Sequence, residues 1–245
     1  MTDIRHLEIG EDLRLAYRLR EGEGPTILFL PGYRSDMDGG KATAIDAWAA
    51  AKGRAMLRFD YSGCGMSDGD FEAQSLAHWR SDTLAMIDEV AGGETILVGS
   101  SMGGWLMLLA ARARPDKVSG LVGIAAAPDF TAWGYSEEEK LRIMREGRIE
   151  RPTPHAEEPE VTTRVFWESG ESLRLLHAAI EIDCPLRLIH GQRDTDVPWT
   201  YAPEIARRAR SDDVQTILVK DGDHRLSREG DIALILRTIE GLVDR

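Results

Sequence analysis

Six short, mostly apolar runs alternate along this chain with amphipathic stretches of helical period, and that rhythm restricts the fold more than any other feature. The runs are TILFL (26–30), AMLRF (55–59), TILV (95–98), VSGLVGI (118–124), LRLI (186–189) and VQTILV (214–219). They are too apolar to leave one face in water and suit strands covered on both sides, as in a parallel sheet. Helical patterns fall between them at 41–51, 76–90, 102–114, 202–209 and 231–243. Parallel strands joined by helices need right-handed crossovers, which makes an α/β, doubly wound sheet with functional loops at its carboxyl edge. Two earlier stretches, 3–9 and 13–19, alternate apolar and polar residues and read as an edge hairpin, so that eight strands are expected.

One interval breaks the rhythm. Between 124 and 186 no strand is evident, and helix-like pieces at 137–146 and 173–180 flank the segment RPTPHAEEPE at 151–160. Structureless connections of this length are uncommon in compact domains. The expectation is a single domain over residues 1–245, carrying a small helical lid inserted at about 129–182. A chain of 245 residues is long enough for one domain of this larger α/β kind.

Charge and composition narrow the function classes. The formal charge of −12 would repel a phosphate backbone, so nucleic acid is not expected as a partner. No apolar run approaches the length of a membrane span. The opening MTDIRHLEIG lacks both the apolar core of a secretion signal and the Arg/Ser-rich, acid-poor character of a transit peptide, so a cytoplasmic location is expected. Cys64 and Cys184 suggest no disulfide framework.

The chemistry is concentrated in GSSMGG, 99–104, directly after one strand and directly before one helix. Read as G-x-S-x-G, it places Ser101 on a sharp strand-to-helix turn whose strained backbone needs the small neighbours Gly99 and Gly103. Ser100 fails the same test, because its flanking positions are Val98 and Met102. A serine hydroxyl needs a base, and the base needs an orienting acid. On this kind of sheet the chain order is serine, acid, histidine. Of His6, His78, His155, His177, His190 and His224, only His224 follows the last strand in a free loop, DGDHR. His190 ends a buried strand and reads as a packed or hydrogen-bonded residue, while His155 and His177 fall in the expected lid. After the strand LRLIH comes GQRDTDVPW, in which Asp194 is the expected acid; Asp196 and Asp129 stand as alternatives. Asp221 and Asp223 read as turn residues. The oxyanion hole needs two backbone donors: Met102, which follows the nucleophile, and Tyr33, in the loop PGYRSDMDGG after the first parallel strand.

Competing motifs fail on spacing. GGKAT (39–43) lacks the leading glycine and the Ser/Thr of a phosphate loop, and DYSGCGMSDG (60–69) lacks dinucleotide-binding spacing. The latter reads as a tight loop at the floor of the site, with Cys64 a small loop residue. No Cys/His/carboxylate group has metal-ligand spacing, and neither metal nor cofactor is expected. Trp105 and the Leu/Met stripe behind it read as core.

With these residues in place the chain resembles the α/β-hydrolase superfamily over nearly its whole length. It is similar within it to a narrower group of acyl-protein thioesterases and acyl-glucuronide esterases. That closer likeness is carried by FLPGY (29–33), RFDYSG (58–63), SDG (67–69), ILVGSS (96–101), GGWLML (103–108), HG (190–191), VPW (197–199) and DHR (223–225). The resemblance implies a triad of Ser101, Asp194 and His224 and hydrolysis of an ester or thioester in a small-molecule or acylated substrate. The alternatives are a general carboxylesterase or carbon–carbon bond hydrolase, and, in another class, a ligand receptor built on the same fold.

Overall fold

The computed structural model describes residues 2–10, 13–152 and 159–244. Its main sheet has eight strands in the order β1-β2-β4-β3-β5-β6-β9-β10. Strands β1 (Arg5–Glu8) and β2 (Arg14–Arg20) form the expected antiparallel edge hairpin, and β2 also runs antiparallel to β4 (Arg54–Phe59). From β4 onward every pairing is parallel, through β3 (Glu23–Leu30), β5 (Thr95–Ser100), β6 (Val118–Ile124), β9 (Leu186–Gly191) and β10 (Val214–Val219).

Strands β3, β4, β5, β6 and β9 are mostly buried, as their apolar runs require, whereas β10, expected to be covered on both faces, is an edge strand with no fully buried residue. Helices α1 (Gly40–Lys52) and α8 (Glu229–Val243) cover one face, packing Ile45, Ala49, Ile235 and Ile239 on Ile27, Ile96 and Val122. Helices α2 (Leu76–Ala85), α3 (Met102–Ala113) and α7 (Tyr201–Arg208) cover the other, where Trp79, Trp105 and Ile205 meet Leu28, Leu97 and Leu121. Trp105 is wholly buried, in keeping with its place in the apolar stripe of α3. The last turn of the expected 76–90 helix widens into a π turn at Met86–Val90.

The interval between β6 and β9 departs from the sequence reading. It holds α4 (Phe130–Trp133), α5 (Glu137–Glu146), a two-stranded antiparallel hairpin of β7 (Arg148–Arg151) and β8 (Glu160–Thr163), and α6 (Arg164–Ser172). Helix α5 lies where expected and begins with a Ser136–Glu139 capping box. The helix expected at 173–180 is absent; this segment is turn and extended chain. Its N–H groups at Leu175 and Leu176 each donate to the Asp129 carboxylate at 2.8 Å, which ties this segment to the end of the loop after β6. The helix lies earlier, at α6, where the Thr163 hydroxyl caps the Phe166 N–H. His155 lies outside the described residues.

Candidate active site

Ser101 occupies the turn from β5 into α3 with φ +54° and ψ −120°, a conformation that costs a non-glycine residue about 1–3 kcal/mol. The surroundings hold it there. Its N–H donates to the Ile124 carbonyl at 2.9 Å, and its own carbonyl accepts from Ala127 at 3.1 Å and Gly104 at 2.9 Å. Both flanking glycines are needed. A Cβ on Gly99 would overlap the Gly103 carbonyl and lie 2.7 Å from Gly104 Cα; a Cβ on Gly103 would overlap the Leu30 carbonyl and lie 2.7 Å from the Pro31 oxygen. The G-x-S-x-G spacing is therefore a packing requirement between α3 and the end of β3.

That same close approach brings the β3–α1 loop against the serine. The Cβ position of Gly32 is 3.4 Å from Ser101 Cβ. Among the described residues no acceptor takes a hydrogen bond from the N–H of Tyr33 or of Met102, and both residues line the cavity that Ser101 borders. The Tyr33 side chain turns away into a cluster with Phe71, Trp79, Phe130 and Phe166, and its hydroxyl donates to the Val161 carbonyl of β8 at 2.6 Å. One residue thus offers a free backbone donor to the cavity and anchors the loop to the insertion.

The structure brings Asp194 and His224 together across 30 residues of sequence, His224 Nδ1 lying 2.8 Å from Asp194 Oδ2. Asp194, on the turn after β9, has a fully buried side chain. Its Oδ1 accepts from the N–H groups of Asp196 (2.9 Å) and Val197 (2.8 Å). Burial pushes this carboxyl up, but the hydrogen bonds from His190 and His224, the His224 charge and the Val197 N–H outweigh it. They hold it well below the usual carboxylate range. Asp194 therefore accepts, and Nδ1 of His224 carries the hydrogen, which leaves Nε2 as the basic atom of that ring. The His224 loop is braced by Asp223, which accepts from the Leu226 N–H at 3.0 Å, and by Lys41 of α1, whose ammonium donates to the Arg225 carbonyl at 2.6 Å.

Ser101, Met102, Tyr33 and His224 border one cavity of about 1050 Å³, roofed from the insertion by Phe130, Trp133, Tyr135 and Arg151. A smaller hollow of about 460 Å³ adjoins it between Arg34, Cys64, Phe71 and Val161, so the 60–69 loop does shape the margin of the site. Burial pushes the Cys64 thiol up to about 12, which leaves it a poor nucleophile at neutral pH.

The sequence alternatives for the acid fall elsewhere. Asp196 is exposed, and Asp129 is buried with both oxygens committed to the chain at Leu175 and Leu176. Asp221 pairs with Arg228 at 2.7 Å, as befits a turn residue. Asp194, Asp196 and His224 offer possible metal-ligand atoms within 4.8 Å of one another. The donor set suits a cation poorly, because the Asp194 oxygens already accept four hydrogen bonds, one of them from His224 itself. Sequence reasoning missed the tether role of Asp129 and the brace from Lys41. The one signal available was the position of Asp129 at the end of a parallel strand.

Residues 25–145 match the family described as Hydrolase_4, serine aminopeptidase, S33. The human palmitoyl-protein thioesterase ABHD10, mitochondrial, is 44% identical over 248 residues, covering 100% of this chain and 81% of the relative. The chain is an α/β hydrolase of the ABHD10 family. As a member it is an enzyme, a serine hydrolase of ester or thioester bonds. The solved structure of mouse alpha/beta hydrolase domain-containing protein 10 superposes with a TM-score of 0.93 at 41% identity, covering 99% of each chain. A putative hydrolase from Agrobacterium vitis S4 gives 0.92 at 36% identity, over 99% of this chain and 98% of that one.

The family corrects one expectation. Five mammalian relatives, 42–44% identical across the whole chain, are named mitochondrial, which points to that compartment and not to the cytoplasm. The cytoplasmic expectation rested on the character of the first ten residues. Among the described residues no helix is long and apolar enough to cross a membrane.

Proposed function

We propose that Ser101, His224 and Asp194 form a catalytic triad that hydrolyses long-chain acyl thioesters, with residues 129–182 acting as a lid on a single hydrolase domain. The observation that carries this reading is the strained Ser101 on the wall of the same cavity as His224, whose ring is held by a buried carboxylate. Ser101 Oγ attacks the acyl carbon while His224 Nε2 takes its proton. The oxyanion accepts from the N–H groups of Tyr33, in the β3–α1 loop, and of Met102, at the start of α3, where the helix dipole also favours negative charge. Collapse expels the thiol, protonated by His224, and leaves an acyl group on Ser101. Water then attacks that ester with His224 again as base, and the free acid departs. Asp194 holds the imidazole in the right tautomer and stabilises its charged form without taking the proton.

The ABHD10 relatives are named palmitoyl-protein thioesterases, which suggests the substrate class. A second reading, cleavage of an acyl glucuronide, is favoured by Lys41 and Arg225, which line the cavity beside His224. Among the described residues Lys41 makes no salt bridge, although the Asp223 carboxylate acts on its charge, and a leaving group with its own carboxylate would meet that ammonium. Initial rates on a long-chain acyl thioester and an acyl glucuronide, side by side, separate the two readings. The thioester is expected to be the faster substrate, and Ser101→Ala to lose about 10⁴-fold or more in kcat on either. A Ser101→Ala variant with undiminished turnover would overturn the triad, and a faster glucuronide would replace the first substrate by the second.

A further inference from the structure

Asp194 meets a second imidazole besides that of His224. His190, near the end of β9, has a wholly buried ring, and its Nε2 lies 3.1 Å from Asp194 Oδ2 and 3.1 Å from the Val197 carbonyl. A carbonyl oxygen only accepts, so Nε2 carries the hydrogen and shares it between the two oxygens. The other nitrogen, Nδ1, is buried with no partner, and a hydrogen placed there would be stranded in the core. Both ends of the ring thus demand the same tautomer.

The geometry around it explains what this hydrogen does. The turn from Gly191 to Val197 closes on itself, because Asp194 Oδ1 takes the N–H groups of Asp196 and Val197. Those bonds fix the carboxylate relative to its own turn, whose main chain is held to β10 by the Gln192 N–H on the Val219 carbonyl at 2.9 Å. His190 adds a side-chain link to the sheet: its backbone belongs to β9, which pairs with β6 and β10, and its ring reaches the turn at Asp194 and Val197. The oxygen it holds, Oδ2, is the one that receives His224 Nδ1–H.

We propose that His190 is a positioning residue for hydrolysis: it pins the plane of the Asp194 carboxylate so that Oδ2 stays aligned with His224. The inference rests on the triad reading above. A merely structural role would have His190 fill space and satisfy the Val197 carbonyl, with no grip on the reaction.

Two amides distinguish these roles, because the glutamine side-chain nitrogen reaches about as far as histidine Nε2 while that of asparagine reaches only as far as Nδ1. His190→Gln is expected to keep kcat within about threefold of the wild type, whereas His190→Asn and His190→Phe lose about 10- to 100-fold in kcat at unchanged KM. The downfield proton resonance of the His224–Asp194 hydrogen bond is expected to persist in His190→Gln and to broaden away in the other two. Folded Asn and Phe variants with wild-type kcat would overturn the proposal, as would a Gln variant as impaired as Asn. On the wild-type protein, nitrogen-15 spectra of the His190 ring provide a check that needs no variant: a hydrogen on Nε2 is expected, and one on Nδ1 would refute the assignment. Ser101→Ala, run beside these variants, reports on the triad separately: its full activity would remove the triad, while its inactivity beside an indifferent His190 would remove only this inference.

Discussion

Replacing Gly103 by alanine tests the junction on which the site depends. The added methyl would overlap the Leu30 carbonyl oxygen and lie 2.7 Å from both the Leu30 carbon and the Pro31 oxygen. Carbon and oxygen atoms that are not bonded settle at about 3.3–3.6 Å, so α3 must retreat from the end of β3 by about 1 Å. Overpacking of this size costs about 1–3 kcal/mol. The contacted atoms are backbone, which cannot rotate away, so the upper half of that range is expected. The retreat also separates two groups that must converge: Met102 moves with α3, whereas Gly32 and Tyr33 stay with β3. A displacement of 1 Å costs about 10²-fold in rate. Gly241→Ala in α8 is the matched control, with nothing within 4 Å of its Cβ position, and should stabilise by about 0.4–1 kcal/mol. Urea midpoints and initial rates of ester hydrolysis on the two variants decide the matter. A Gly103→Ala protein with an unchanged midpoint and kcat/KM within twofold would refute the packing argument.

Two further perturbations address the insertion. Asp129→Ala leaves the N–H groups of Leu175 and Leu176 without an acceptor; about 1–3 kcal/mol is expected for each such group kept from water, read as a lower urea midpoint. The Arg151 guanidinium beside Glu139 lowers its carboxyl to about 2 from an ordinary 4.5. Because the folded value is the lower one, this link contributes fully above pH 4.5 and is lost as pH falls toward 2. The Tm difference between wild type and Glu139→Gln should shrink over that window, and a constant difference would show that the link contributes nothing.

The parts of this structure legible from sequence are those in which one residue type answers to one physical demand. Covered strands must be largely apolar, so all six parallel strands could be placed to within a few residues, although the edge strand β10 is only partly covered. The turn at Ser101 tolerates no side chain at Gly99 or Gly103, so the motif marks its own position. The Asp194–His224 contact was legible from the chain order expected on this kind of sheet. The insertion obeys no such rule. Strands β7 and β8 have four residues each, and β7 reads RIER, with one apolar residue and no alternation to detect. Segment 173–180 carries a helical pattern in Leu173, Leu176 and Ala179 but is turn and extended chain, tied at Leu175 to a carboxylate 46 residues away. Such a long-range tether is invisible to any local window. His190 was legible as a hydrogen-bonded core residue, yet its partner depends on a turn whose conformation no propensity specifies.

The strand order has a consequence for the making of the protein. Ser101 follows β5, which lies in mid-sheet between β3 and β6, all three complete by Ile124, whereas Asp194 and His224 follow β9 and β10, the two strands at the far edge. Synthesis runs from the amino terminus, and a domain folds as a unit once its parts have emerged. On the proposed triad, the serine therefore emerges long before the base that would activate it. Hydrolytic competence then arrives only when the last edge strand docks on β9, so a chain interrupted before residue 214 is expected to be inert, although strands β1 to β9 have been made.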